Sequence, residues 1–114
     1  VTQEQERAEA AVRFLADTAM EYGVSRAEVV KAEAMLRHIK ALAMKSSGEN
    51  SAAAQEREAY ASGTYKLAID DLFDATKIAE VLKAKREAAI ARIDYWRSVN
   101  SNQRAAERGF GSAR

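Results

Sequence analysis

The chain has 114 residues, 47% of them hydrophobic, with no Pro, no Cys, one His and a net charge of +1. That length fits one domain. The missing Cys excludes disulfides and thiolate metal sites, and one His excludes a multi-His metal site within a chain. No apolar run approaches the ~20 residues needed to span a bilayer, and no charged-then-apolar leader pattern is visible. The expected location is therefore the cytoplasm, or a host cell's cytoplasm if the chain is phage-encoded.

Residues 2–22 read as a first helix. Ala8, Ala11, Val12, Leu15, Ala19 and Tyr22 share one face, and Glu4, Glu6 and Glu9 suit the positive end of the helix dipole. Gly23 is the expected stop. Ser25-Arg26-Ala27-Glu28 matches a capping box for a second helix over 25–45, with Val29, Ala32, Leu36, Ile39 and Ala43 on its inner face. The short link predicts antiparallel neighbours or one bent rod.

Ser46 to Asn50 is small, polar and without period, hence a loop. A short helix is expected over 52–59, broken at Tyr60-Ala61-Ser62-Gly63. The longest element follows, over 64–104. Ala68, Leu72, Ala75, Ala79, Leu82, Ala89, Ile93 and Trp96 recur three or four apart, and Arg86 alone interrupts them. A helix of ~40 residues is about 60 Å long, more than the rest of so small a chain is expected to cover. Leu72, Leu82, Ile93 and Trp96 are therefore the expected knobs of a homo-oligomer interface. Residues 105–114 read as a flexible basic tail, so the domain is 1–104. The expected fold is all-α: a helical hairpin from two N-terminal helices plus one long C-terminal helix, assembling as a homo-oligomer.

Charge is unevenly placed. Val1 to Glu33 holds seven acids against four bases, and Lys83 to Arg114 holds eight bases against three acids. Such asymmetry suggests a polyanion partner or head-to-tail self-association. Tyr95, flanked by Arg92 and Arg97 with Arg104 further on, is the best candidate for stacking on a base, because single strands are held by cations along the backbone and aromatic faces under the bases. Arg37, Lys40 and Lys45 make a second cationic group. No catalytic constellation, zinc spacing or phosphate loop is present. Asp70, Asp71 and Asp74 read as an exposed acidic face, and His38 as a boundary residue with no acid or nucleophile to work with. No enzyme activity, metal or cofactor is expected.

The stretch Ala34 to Lys45, the Ser/Gly loop, Ala59-Tyr-Ala-Ser62, and the long helix from Tyr65 through Lys83-Ala-Lys-Arg-Glu-Ala-Ala-Ile-Ala-Arg-Ile-Asp-Tyr-Trp-Arg97 resemble small tailed-phage proteins. The layout is similar to the UvsY recombination mediator family, over roughly Lys31 to Arg104. That resemblance implies a ring-like homo-oligomer that binds single-stranded DNA and helps a recombinase displace a single-strand-binding protein. It also implies DNA contacts from Lys40 and Lys45, with Arg37 close by. The alternative is a phage adaptor or inhibitor that binds protein and not DNA.

Overall fold

A computed structural model describes Thr2 to Ser112, with side chains through Gly109. Three helices account for almost all of it: α1 (Gln3–Lys45), α2 (Ala52–Ala61) and α3 (Gly63–Ser112). The two N-terminal helices expected over 2–22 and 25–45 are one. Gly23 keeps a negative φ and has open space around it. A mid-helix glycine costs about 1 kcal/mol relative to alanine. Continuing the helix keeps Tyr22, Ser25 and Val29 on the packed side, and that packing decides the outcome. Ser25 is therefore no cap: it is buried, and its hydroxyl donates to the Tyr22 carbonyl at 2.8 Å. Gly23→Ala is expected to raise stability by about 0.5–1 kcal/mol, read as a rise in the thermal midpoint. A loss would place a kink there.

The real break comes at the Ser/Gly loop. Gly48 adopts the left-handed conformation at φ 76° that a terminating glycine supplies. Ser51 then caps α2 by accepting the Ala54 N–H at 3.1 Å. Ser62 both closes α2 and opens α3: its hydroxyl donates to the Ala59 carbonyl at 2.7 Å and accepts the Tyr65 N–H at 3.2 Å. α3 then runs unbroken through Arg86 and past Arg104 to Ser112. Residues 105–112, expected as a loose tail, are helical. Arg114 lies outside the described residues.

The chain divides into two compact units. Unit one is Val1–Met20 with Lys83–Arg114, and unit two is Glu21–Leu82. In unit one the buried or half-buried positions of α1 include Ala8, Ala11, Leu15 and Thr18, and those of α3 include Arg86, Ala89, Ile93 and Trp96. Steps of three and four make this a coiled-coil seam. The Arg86 guanidinium donates to the Thr18 hydroxyl at 2.6 Å and to the Leu15 carbonyl at 2.8 Å, which fixes the register. Stepping out from that contact sets Leu15 against Ala89, Ile93 against Ala11 and Trp96 against Ala8. A large side chain meets a methyl at each layer, so the helices can approach closely without voids.

Unit two repeats the rule. Tyr22, Ser25, Val29, Ala32, Leu36 and Ile39 of α1 and Leu82, Ala79, Ala75, Leu72, Ala68 and Tyr65 of α3 are buried or half-buried, and steps of three and four in antiparallel order set each against the other. At its loop end, α2 packs Ala59 fully out of solvent. Tyr60 sits edge-on to Tyr65 with ring centroids 5.2 Å apart.

Leu72, Leu82, Ile93 and Trp96, the expected oligomer knobs, take part in packing within the chain: Leu82 is buried and the other three half-buried. Coverage from a second copy was expected because a helix of ~40 residues is long for the rest of the chain to cover. An uninterrupted α1 supplies a seam residue for each of them.

Candidate nucleic-acid interface

The expected cationic and aromatic residues fall into both units. In unit one, Arg92, Tyr95, Arg97 and Arg104 all lie on the exposed surface of α3. Trp96 points into the seam, so its neighbour Tyr95, about 100° round the helix, points away from it. Tyr95 is 65% exposed, the state a stacking platform requires. Arg97 lies 3.9 Å from Asp94, one turn back, in a solvent-exposed pair that holds it only weakly. Arg92 makes no hydrogen bond or ion pair among the described residues, and it lines a cleft of about 270 Å³ with Glu4, Arg7, Ala91, Tyr95 and Trp96. Arg7 was not among the expected site residues. It sits in the net-acidic first third of the chain, and only the antiparallel register brings it beside Arg92.

In unit two the second cationic group is divided. Arg37 and Lys45 are exposed. Lys40 is engaged: its ammonium donates to the Tyr60 hydroxyl at 2.8 Å and lies 3.5 Å from the Glu56 carboxylate. The ammonium is also 4.6 Å from the Tyr60 ring centroid, but the hydroxyl is the closer contact. The hydrogen bond to Tyr60 is the main influence raising the Lys40 pKa above the ordinary lysine value, with Glu56 adding to it against a desolvation effect that lowers it. Lys40 thus clamps α2 onto α1, and its charge is largely taken up inside the unit. No sequence signal marked this, since Glu56 and Tyr60 are brought to Lys40 only by the turn after Gly48.

Net charge follows the same division. Unit one carries ten bases against seven acids, and unit two carries eight bases against ten acids. Large exposed apolar side chains are distributed the other way. Among the described residues unit two has ten of them, including Met35, Leu42, Leu67, Phe73 and Ile78, and unit one has four. Part of the apolar surface of unit two is an open groove of about 450 Å³, lined by Met35, Ile39, Leu67 and Ala68 with Glu28, Lys31 and Asp71 among its polar residues.

Among the described residues there is no group of three or more His, Cys, Asp or Glu placed to hold a metal ion. Asp70 pairs instead with Lys66 at 3.1 Å, one turn earlier. No described helix is long and apolar enough to cross a membrane. No family model matches the sequence, and searches of curated proteins and of solved structures return no match.

Proposed function

We propose that this chain is a non-enzymatic helical protein that binds single-stranded DNA as a homo-oligomer, in the manner of a UvsY-like phage recombination mediator that assists a recombinase in loading. One observation carries the reading: cationic and apolar surfaces are allotted to different units. The basic unit presents Arg92, Tyr95, Arg97 and Arg104 on one helix, so phosphates and bases have partners along the same element. The acidic unit exposes apolar side chains well beyond the scattered singles that need no explanation. Those flanks, rather than the seam residues, are the surface available for self-association. A homo-oligomer would multiply weak phosphate contacts by avidity. Arg37 and Lys45 add charge from the second unit, and Lys40 contributes less because Tyr60 and Glu56 hold it.

A second reading, a protein-binding adaptor or inhibitor, draws on the apolar groove of unit two, which suits a partner helix laid between α1 and α3. Light-scattering mass with and without a short oligothymidylate separates the two. The expected result is a multi-chain mass that takes up the strand. With three phosphate contacts, affinity falls about 20-fold between about 50 and 200 mM salt. A monomer indifferent to the strand at both salts would retire the DNA reading in favour of the adaptor. The mediator role is tested next, as faster recombinase assembly on strand coated with a single-strand-binding protein.

A further inference from the structure

The cleft in unit one brings together what no single helix supplies. Arg7 comes from α1 and Arg92 from α3, and they share the cleft with Tyr95 and Trp96. Neither arginine makes a hydrogen bond or ion pair among the described residues, and Glu4 is the one carboxylate lining the space. Two unneutralised guanidinium groups in one concavity favour an anion, and their forked donors match phosphate oxygens. The Tyr95 ring beside them is largely exposed and, among the described residues, makes no hydrogen bond or ring contact. At about 270 Å³ the space is at the small end for a ligand pocket, suited to one nucleotide rather than several.

We infer that this cleft seats a single nucleotide of the bound strand, with its phosphate between Arg7 and Arg92 and its base stacked on Tyr95. The inference rests on the single-stranded DNA reading and deepens it. It makes Arg7 of the net-negative N-terminal segment a phosphate ligand. It also makes the site depend on α1 and α3 together, so an isolated α3 peptide would lack half of it. A phosphorylated peptide would satisfy the arginines but leave the exposed ring beside them without a planar partner, which favours a nucleotide.

The test uses the full chain and its only tryptophan. Trp96 lines the cleft, so its fluorescence reports occupancy. Titration with a 15-mer of oligothymidylate is compared across wild type, Arg7→Gln, Tyr95→Ala and Tyr95→Phe. Arg7, Arg92 and Tyr95 are all exposed, so the substitutions spare the seam, and far-ultraviolet circular dichroism checks that they do. Arg7→Gln is expected to weaken binding about 5- to 10-fold and to lower the salt slope by about 0.7, one phosphate's share. Tyr95→Ala is expected to weaken it about 10-fold at unchanged salt slope, and Tyr95→Phe to restore it. The same pattern with oligouridylate would support the cleft and extend it to either strand chemistry. Salt-sensitive wild-type binding that ignores Arg7→Gln would overturn the inference while leaving the DNA reading intact. No oligonucleotide uptake by wild type would overturn both. Arg7-dependent capture of a phosphoserine peptide without strand binding would overturn both in favour of a protein partner.

Discussion

Ala68→Asp abolishes the cooperative thermal transition or lowers its midpoint by more than about 12 °C. Ala68 is 7% exposed, and the antiparallel order of the seam places it against Leu36. A carboxylate there loses most of its water, and no cation is one turn away on α3, where Thr64, Tyr65, Asp71 and Leu72 occupy those positions; the exposed Lys31 of α1 lines the groove nearby. An uncompensated buried charge costs about 3–5 kcal/mol, and each kcal/mol moves the midpoint of a small domain by about 4–8 °C. The margin available is small. The buried apolar core consists of six alanines and Leu82, with no large side chain fully enclosed, and small domains hold only about 5–15 kcal/mol in total. Ala84→Asp is the control, because Ala84 is exposed on the same helix. It should cost only the helix-propensity difference, below about 1 kcal/mol. The penalty at position 68 belongs to the ionised form. Folding raises the introduced carboxyl's pKa, so the loss shrinks as pH falls through the carboxylate range. Equal losses for the two variants, measured by circular dichroism, would mean the seam does not run through Ala68.

Much of that seam is legible in the sequence. The spacing of Ala68, Leu72, Ala75, Ala79, Leu82, Ala89, Ile93 and Trp96 marks the packed face of α3 residue for residue, because a three-four periodicity has one geometric meaning in a helix. The Ser46–Asn50 loop was legible from its small, polar, aperiodic composition. Two features were not. Gly23 and the Ser25–Glu28 pattern are genuine local stop and start signals, but their worth of about 1 kcal/mol each is outweighed by the seam contacts of Tyr22, Ser25 and Val29. The second is the cover that α1 gives α3: the length of α3 alone pointed to a second copy, and an α1 of 43 residues supplies facing positions along it. The candidate site was legible where it lies along one helix, as with Arg92, Tyr95, Arg97 and Arg104. It was hidden where it needs register, as with Arg7 beside Arg92 and Glu56 beside Lys40. Periodicity identifies a face but says nothing of which residue across the seam it meets.

Arg86→Leu raises the thermal midpoint and broadens the mass distribution in solution. Arg86 occupies a seam position where every neighbouring layer on α3 is apolar, and it is half-buried there. Holding a guanidinium in that position costs desolvation, which two hydrogen bonds to α1 offset only in part. Removing it leaves neither of these two α1 groups without a partner. The Thr18 hydroxyl still donates to the Phe14 carbonyl at 2.7 Å, and the Leu15 carbonyl sits within a continuous helix. Replacing a buried charge with an apolar side chain is neutral to stabilising by about 1–4 kcal/mol, so a gain of several degrees is expected in a scanning denaturation. What Arg86 contributes instead is selection. Its guanidinium reaches a particular carbonyl and a particular hydroxyl, so a slip of α1 along α3 that sets Ala11 where Thr18 stands takes the hydroxyl partner away. A single polar group in an apolar seam fixes register and partner number in this way. With leucine there, slipped pairs and pairing between chains lose that penalty. The expected light-scattering profile therefore contains added species at the same concentration where wild type gives one. A variant that is more stable yet still of one mass would show that the alternation of large residues with Ala89, Ala11 and Ala8 is enough to hold the register. A variant less stable than wild type would show that the two hydrogen bonds outweigh the desolvation they accompany.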